Sequence, residues 1–248
     1  MNYNHQLLAV IILAAGKGTR MNSDLPKVLH PIGNLPMITR VVKTAQALQA
    51  NPIIPVLGYK HKLVQYALKD EPVKCALQSE QLGTAHAVLQ CKNILQDFDG
   101  NVLILYGDVP LVKVETLANL LEIHFREESA STILTTDLPD PTGYGRIIRN
   151  KDESLKKIVE EKDATDGERL VHEINSGIYV FNARSLFNLL PLVRNNNSQK
   201  EYYLPDVLNL LIKKKEKVAI DKIKNYFEIQ GVNNIEQLNE ANEFIDKA

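Results

Sequence analysis

The chain has 248 residues, 44% hydrophobic and 24% charged, the makeup of an ordinary globular protein large enough to bury a sizeable core. Its 29 Lys and Arg balance 30 Asp and Glu, so no global field draws nucleic acid or an anionic membrane. Only Cys75 and Cys91 are present, without CxxC or matching histidine spacing, which argues against a disulfide framework or zinc site and fits a reducing cytoplasm.

Leu7 to Leu13 is a continuous apolar run rich in β-branched residues, and predicts a strand buried on both faces of a parallel sheet. It does not read as a signal peptide: Met1 to Gln6 holds no Lys or Arg, and the cations follow the apolar run instead of preceding it. No stretch reaches the roughly eighteen apolar residues of a membrane span. The protein is expected in the cytoplasm, with neither nucleic acid nor membrane as partner.

The strand runs into Leu13-Ala14-Ala15-Gly16-Lys17-Gly18-Thr19-Arg20-Met21, followed by Leu25-Pro-Lys27. A glycine turn at the carboxyl end of a buried strand lets backbone N–H groups approach a polyphosphate. Two familiar loops fail here. A dinucleotide fingerprint would need glycine where Met21 stands, and a Walker loop would need its lysine after the second glycine. Arg20 offers a planar fork to phosphate oxygens, and Lys17 or Lys27 a compact point charge. The alternative is a βα turn with solvated surface cations.

Met37, Ile38, Val41, Val42, Ala45 and Leu48 keep helical spacing. Ile53 to Leu57 predicts a strand, Leu63 to Leu68 a short helix, Val73 to Leu77 a strand and Gly83 to Gln90 a helix. Asn101 to Tyr106 then predicts a buried strand ending at Gly107-Asp108. Alternating strands and helices imply an α/β fold with a doubly wound, mostly parallel sheet. The rhythm breaks near Leu138. Strands near 146–149, 155–160 and 178–181 suggest a small, partly antiparallel lobe. Pro205 suits a helix start, and Lys213 to Lys217 the solvated end of a helix. Ile235, Leu238, Ala241 and Ile245 line a last amphipathic helix, so residues 1–234 form one domain and 235–248 a terminal helix.

Asp108, after an apolar strand, suits Mg²⁺, a hard cation that takes oxygen ligands; a helix cap or turn is the alternative. The six histidines form no HxxxH or Ser/His/Asp pattern, which leaves hydrolase chemistry poorly supported.

The opening motif resembles the signature of the sugar-nucleotide pyrophosphorylases. Later segments narrow the resemblance: Gln78 to Ala85, Tyr106 to Leu111, Gly143 to Arg146, Ile158 to Glu160, Glu173 to Gly177, Glu201 to Tyr203 and Gly231 to Asn234. In that order they resemble the uridyltransferase half of the bifunctional enzymes that make UDP-N-acetylglucosamine, a precursor of bacterial cell wall. The resemblance implies the Rossmann-like fold of nucleotide-diphospho-sugar transferases with a sugar-binding lobe. It implies Mg²⁺-dependent transfer of a uridylyl group from UTP to N-acetylglucosamine 1-phosphate by direct in-line attack.

By that resemblance Lys27, Arg20 and Lys17 steady the triphosphate and the leaving pyrophosphate, and Asp108 and Asn233 hold Mg²⁺. Leu13, Ala14, Ala15, Gly16, Gln78, Gly83 and Thr84 meet the nucleotide; Tyr106, Gly145, Glu160 and Asn175 meet the sugar. Another sugar 1-phosphate or base, or a non-catalytic nucleotide-sugar sensor, are the competing readings. Ser176 stands where the family often has threonine, which keeps the hydroxyl. The hexapeptide repeats of the bifunctional enzymes do not occur in these residues, so acetyl transfer is not assigned to them. The family's trimer is held largely by those repeats, and no oligomeric state is assigned.

Overall fold

The computed structural model of the chain describes residues 7–246; the outer ends of the two predicted segments, 1–6 and 247–248, lie outside the described residues. In chain order come β1 (Leu8–Ala14), the short β2 (Pro31–Ile32) and β3 (Leu35–Pro36), α1 (Met37–Ala47), β4 (Ile53–Leu57), α2 (His61–Ala67), β5 (Ala76–Leu77), α3 (Thr84–Leu89) and β6 (Asn101–Tyr106). The second half runs α4 (Val114–Arg126), β7 (Ser131–Asp137), β8 (Arg146–Arg149), β9 (Leu155–Val159), α5 (Asp166–Arg169) and β10 (Glu173–Asn182). It ends with α6 (Ala183–Leu189), α7 (Pro205–Lys213), β11 (Val218–Lys222) and α8 (Ile235–Asp246).

The main sheet has the order β11-β7-β10-β6-β1-β4-β5. β1 lies parallel between β4 and β6, with Leu13 opposite both Val56 and Tyr106. Strand order therefore reverses at β1, and in open α/β sheets the crevice beyond the carboxyl ends at such a point holds the ligand. The sheet is mostly parallel, as expected, with one reversal: β10 is antiparallel to both β6 and β7. The expected strand at 178–181 thus belongs to the main sheet instead of the lobe. Nine of its ten residues are buried, the pattern of a strand covered on both faces. The lobe is the β8–β9 hairpin, attached where Arg146 pairs with Ile174. The expected strand at 73–77 is reduced to Ala76–Leu77.

Side chains of β1 alternate between two cores, as the two-residue period of a strand requires. Ala9, Ile11 and Leu13 join one with α3, α6 and α7; Val10, Ile12 and Ala14 join the other with α1 and α4. α7 starts at Pro205, where the missing N–H is not needed, and Lys213 to Lys217 are exposed beyond it. Against the edge, Ala241, Leu238 and Ile245 of α8 meet Ile32 and Met37. Among the described residues no helix is long and apolar enough to cross a membrane.

Candidate active site

The turn after β1 is built so that Lys27 can lie against it. Gly18 has φ +64°, and a Cβ there would run into the Lys27 side chain. Met21 N–H closes the turn on the Gly18 carbonyl at 3.0 Å, and its side chain is buried, which leaves Arg20 exposed at the mouth.

Three distant segments converge on the Lys27 ammonium. It donates to the Asp108 carboxylate and, at 3.0 Å, to the Asn233 amide oxygen; Arg20 donates to that same oxygen at 2.9 Å. The orientation of Asn233 follows from its other half: Nδ2 donates to the Gly231 carbonyl at 3.1 Å, so only Oδ1 faces the cations. Asp108 is tied to that loop by its carbonyl, which accepts from Val232 N–H at 2.8 Å. The two side chains expected to hold a metal thus present oxygens to one positive charge. Among the described residues no group of three His, Cys, Asp or Glu is arranged to bind a metal, so the protein offers two oxygens and not a closed cage.

A cleft of about 260 Å³ opens beside this cluster. Leu13, Ala14, Ala15 and Gly16 line it together with Gln78, Gly83 and Thr84, with Lys27, Tyr106 and Asp108 also in the lining. Gly83 has φ +112°, and a Cβ would sit 2.5 Å from the Tyr202 carbonyl. That close approach lets Ala85 N–H reach the same carbonyl at 2.9 Å, while Leu204 N–H donates to the Thr84 hydroxyl at 2.9 Å. Gln81 and Glu201 also line the cleft and were not singled out as site residues. Both sit inside recognised motifs, but a turn glutamine and a glutamate before two tyrosines carry no signal of their own. Lys17 is exposed on the turn and not part of this lining.

The lobe brings the sugar candidates together. Asn175 N–H donates to the Gly145 carbonyl at 2.8 Å, and a Cβ on Gly145 would lie 3.1 Å from Glu160 Oε1. Asn175 Oδ1 accepts from Tyr179 O–H at 2.8 Å and Gly177 N–H at 3.0 Å, which leaves its N–H₂ as the group to offer a ligand. Burial raises the Tyr106 hydroxyl pKa, and the Glu160 and Asp108 charges push the same way, so this ring joins the two ends of the site. Burial, with Asp206, Asp163 and Glu201 nearby, lifts the Glu160 carboxyl to about 7. Arg146, buried, forms an ion pair with the Glu161 carboxylate at 2.6 Å and donates to the Tyr144 carbonyl, bracing the residues next to Glu160 and Gly145.

A parallel sheet with a switch point, a glycine turn and a cation–carboxylate cluster at its carboxyl end define a phosphate-handling α/β enzyme. The chain belongs to the Nucleotidyl transferase family, whose pattern it matches over residues 9–247. It is 48% identical over 240 residues to the Bifunctional protein GlmU of Alkaliphilus metalliredigens, covering 97% of this chain and 52% of that protein. It is 47% identical over 237 residues to the protein of the same name from Brevibacillus brevis, covering 96% and 51%. The chain therefore spans about half the length of the curated relatives it matches. A UDP-glucose pyrophosphorylase complexed with UDP-glucose superposes with a TM-score of 0.78 at 19% identity, covering 97% of this chain and 99% of that one. A putative glucose-1-phosphate thymidylyltransferase from Bacillus anthracis gives 0.75 at 18% identity, covering 97% and 96%. These last two likenesses establish the shared fold.

Proposed function

We propose that the chain transfers a uridylyl group from UTP to N-acetylglucosamine 1-phosphate, releasing pyrophosphate and giving UDP-N-acetylglucosamine. The observation that carries this reading is the convergence of Arg20, Lys27, Asp108 and Asn233 on one junction, with Lys27 and Asp108 lining the cleft that Leu13 to Gly16, Gln78, Gly83 and Thr84 also line. The name shared by the relatives, Bifunctional protein GlmU, supports the choice of sugar and base.

No covalent protein intermediate is needed. A phosphate oxygen of the sugar phosphate forms the new bond to the α-phosphorus, and the bond from that phosphorus to the oxygen bridging the α- and β-phosphates breaks, so pyrophosphate leaves with the electron pair. The protein's work is to align two polyanions and neutralise them. Lys27 and Arg20 bring positive charge to the triphosphate, with Lys17 on the same turn reaching the outer phosphates. The backbone at Leu13 to Gly16, with Gln78, Gly83 and Thr84, receives the nucleoside. Glu160, the Asn175 amide and Gly145 N–H receive the sugar hydroxyls and acetamide, with Tyr106 at their side.

The donor set fits Mg²⁺, which is held by one or two protein oxygens and completes its shell with phosphates and water. Asp108 and Asn233 would hold it, and when bound it supplies charge neutralisation on the phosphate oxygens. The test is pyrophosphate release from UTP and N-acetylglucosamine 1-phosphate, with and without Mg²⁺. Release should require the metal and fall at least about 100-fold in Asp108→Ala. Equal rates in wild type and variant would remove Asp108 from the mechanism; faster turnover of glucose 1-phosphate would reassign the sugar.

A further inference from the structure

We infer that His86 is a positioning residue for base recognition: it holds the Gln78 side-chain amide so that only the amide's oxygen faces the nucleotide cleft. The inference rests on the uridine reading above and adds a residue that reading does not use.

Gln78 is 3% exposed and lines the cleft. Its Nε2 lies 3.1 Å from the Gly83 carbonyl and 3.0 Å from His86 Nδ1. A carbonyl can only accept, so the atom turned to Gly83 is the N–H₂ group and not the oxygen. The same group then faces His86 Nδ1, which must accept. Both amide hydrogens are consumed, and none of the bonds found among the described residues reaches Oε1. Gln78 therefore has an acceptor, and no donor, left for a ligand.

His86 meets a second glutamine. Gln90 Nε2 lies 3.2 Å from His86 Nε2 and 2.9 Å from the His86 carbonyl. Neutral imidazole has one accepting nitrogen, so it cannot accept from both amides at once. Turning either amide over would set its oxygen against a carbonyl, that of Gly83 for Gln78 and that of His86 for Gln90. Gln90 is half-buried and can give up the ring contact to water, whereas Gln78, 3% exposed, has no such outlet. The arrangement that satisfies the buried group has the proton on Nε2 and the lone pair on Nδ1.

The consequence is a selection rule. Uracil's pairing edge has a single donor, N3–H, which an acceptor-only Gln78 can receive. Cytosine presents a lone pair at N3, and meeting Oε1 it would leave two acceptors opposed against a side chain that is 3% exposed. An amide free to turn would offer N–H₂ to cytosine and lose the distinction.

Two measurements test this. In the ¹⁵N-histidine-labelled wild-type chain, ring-nitrogen resonances should show His86 with Nδ1 bare and Nε2 protonated; a proton on Nδ1 overturns the inference without any substitution. In steady-state kinetics, His86→Leu should lower the ratio of kcat/KM for UTP over CTP about tenfold, the worth of one hydrogen bond. The KM for the sugar phosphate should not change. His86→Asn, which returns an acceptor near the place of Nδ1, should restore most of the ratio. An unchanged ratio in His86→Leu overturns the inference. A wild-type chain indifferent to UTP and CTP shows, before any variant is made, that the uridine reading has failed, and the inference falls with it.

Discussion

Glu160 shows what the lobe does to a single side chain. Its carboxyl is lifted to about 7 by burial first, then by Asp206, Asp163 and Glu201, with Arg146 pulling the other way. Arg146 cannot cancel the effect, because its guanidinium is engaged with Glu161. A folded-state pKa above the unfolded value means the native state binds the proton more tightly, so stability falls as pH rises between the ordinary value of 4.5 and about 7. Above that window the native state carries a buried, poorly compensated carboxylate. Glu160→Gln should therefore raise stability at pH 8 by on the order of 2 kcal/mol and leave it nearly unchanged at pH 4. Melting curves at the two pH values decide: a gap of equal size at both would show that the carboxyl does not titrate in this way. The variant should lose affinity for the sugar phosphate even while it gains stability.

At the scale of elements, β10 is the strand on which the site depends, and the sequence shows only part of it. It carries Asn175, yet its register with β7 shifts between Asn175 and Tyr179, and Gly177 lies in that irregularity with φ +81°. A Cβ at Gly177 would stand 2.5 Å from Tyr106 Cε2, so glycine is what allows the Tyr106 ring to approach the strand this closely. Gly177→Ala should cost about 2–4 kcal/mol, from the left-handed backbone and the forced ring shift together. Denaturant unfolding reads this directly; a midpoint equal to wild type would mean that ring and strand yield freely. The sequence shows why β10 was misplaced. A run buried on both faces has no alternation, and its direction is set by pairing with residues nearly eighty positions away at Val102 to Ile104. β1, by contrast, is announced by its apolar run and the glycine turn behind it. The strands β7 and β11 and the helices α4 and α6 are additional to the elements the sequence predicts.

The same limit applies to the site. Glycines and cations in one turn are legible because they are neighbours in sequence. That Asp108 and Asn233 meet, 125 positions apart, was supplied by resemblance, since spacing holds no trace of it. Of the Gln78–His86 pair only Gln78 lies within the recognised motif, which ends at Ala85, and composition does not say which way an amide turns. Arg146 looks like one more lobe cation until its burial is seen.

At the scale of the whole molecule, the Lys27 ammonium joins the β1 turn, the end of β6 and the loop before α8. α8 is held in turn by Gln237, which accepts from Asn233 N–H at 2.7 Å, and by Asn242, which accepts from Gly33 N–H at 2.8 Å. The ammonium satisfies the two oxygens proposed above to hold magnesium, so the chain carries its own counter-charge at this junction. Removing it leaves the Asp108 carboxylate, 17% exposed, without compensation. Lys27→Ala should thus lose about 1–2 kcal/mol in metal-free buffer, roughly 2–8 °C in Tm for a chain of this size. Magnesium without nucleotide should then return more of that loss in the variant than it adds to wild type, where it must displace an ammonium from the same oxygens. Thermal melts with EDTA and with Mg²⁺ separate the cases. Equal metal-dependent shifts in both proteins would mean that ammonium and metal do not share a site, and Asp108 and Asn233 would lose their assignment as the metal's protein ligands. A larger shift in the variant would make Lys27 a resident cation that keeps this junction closed until the substrates arrive.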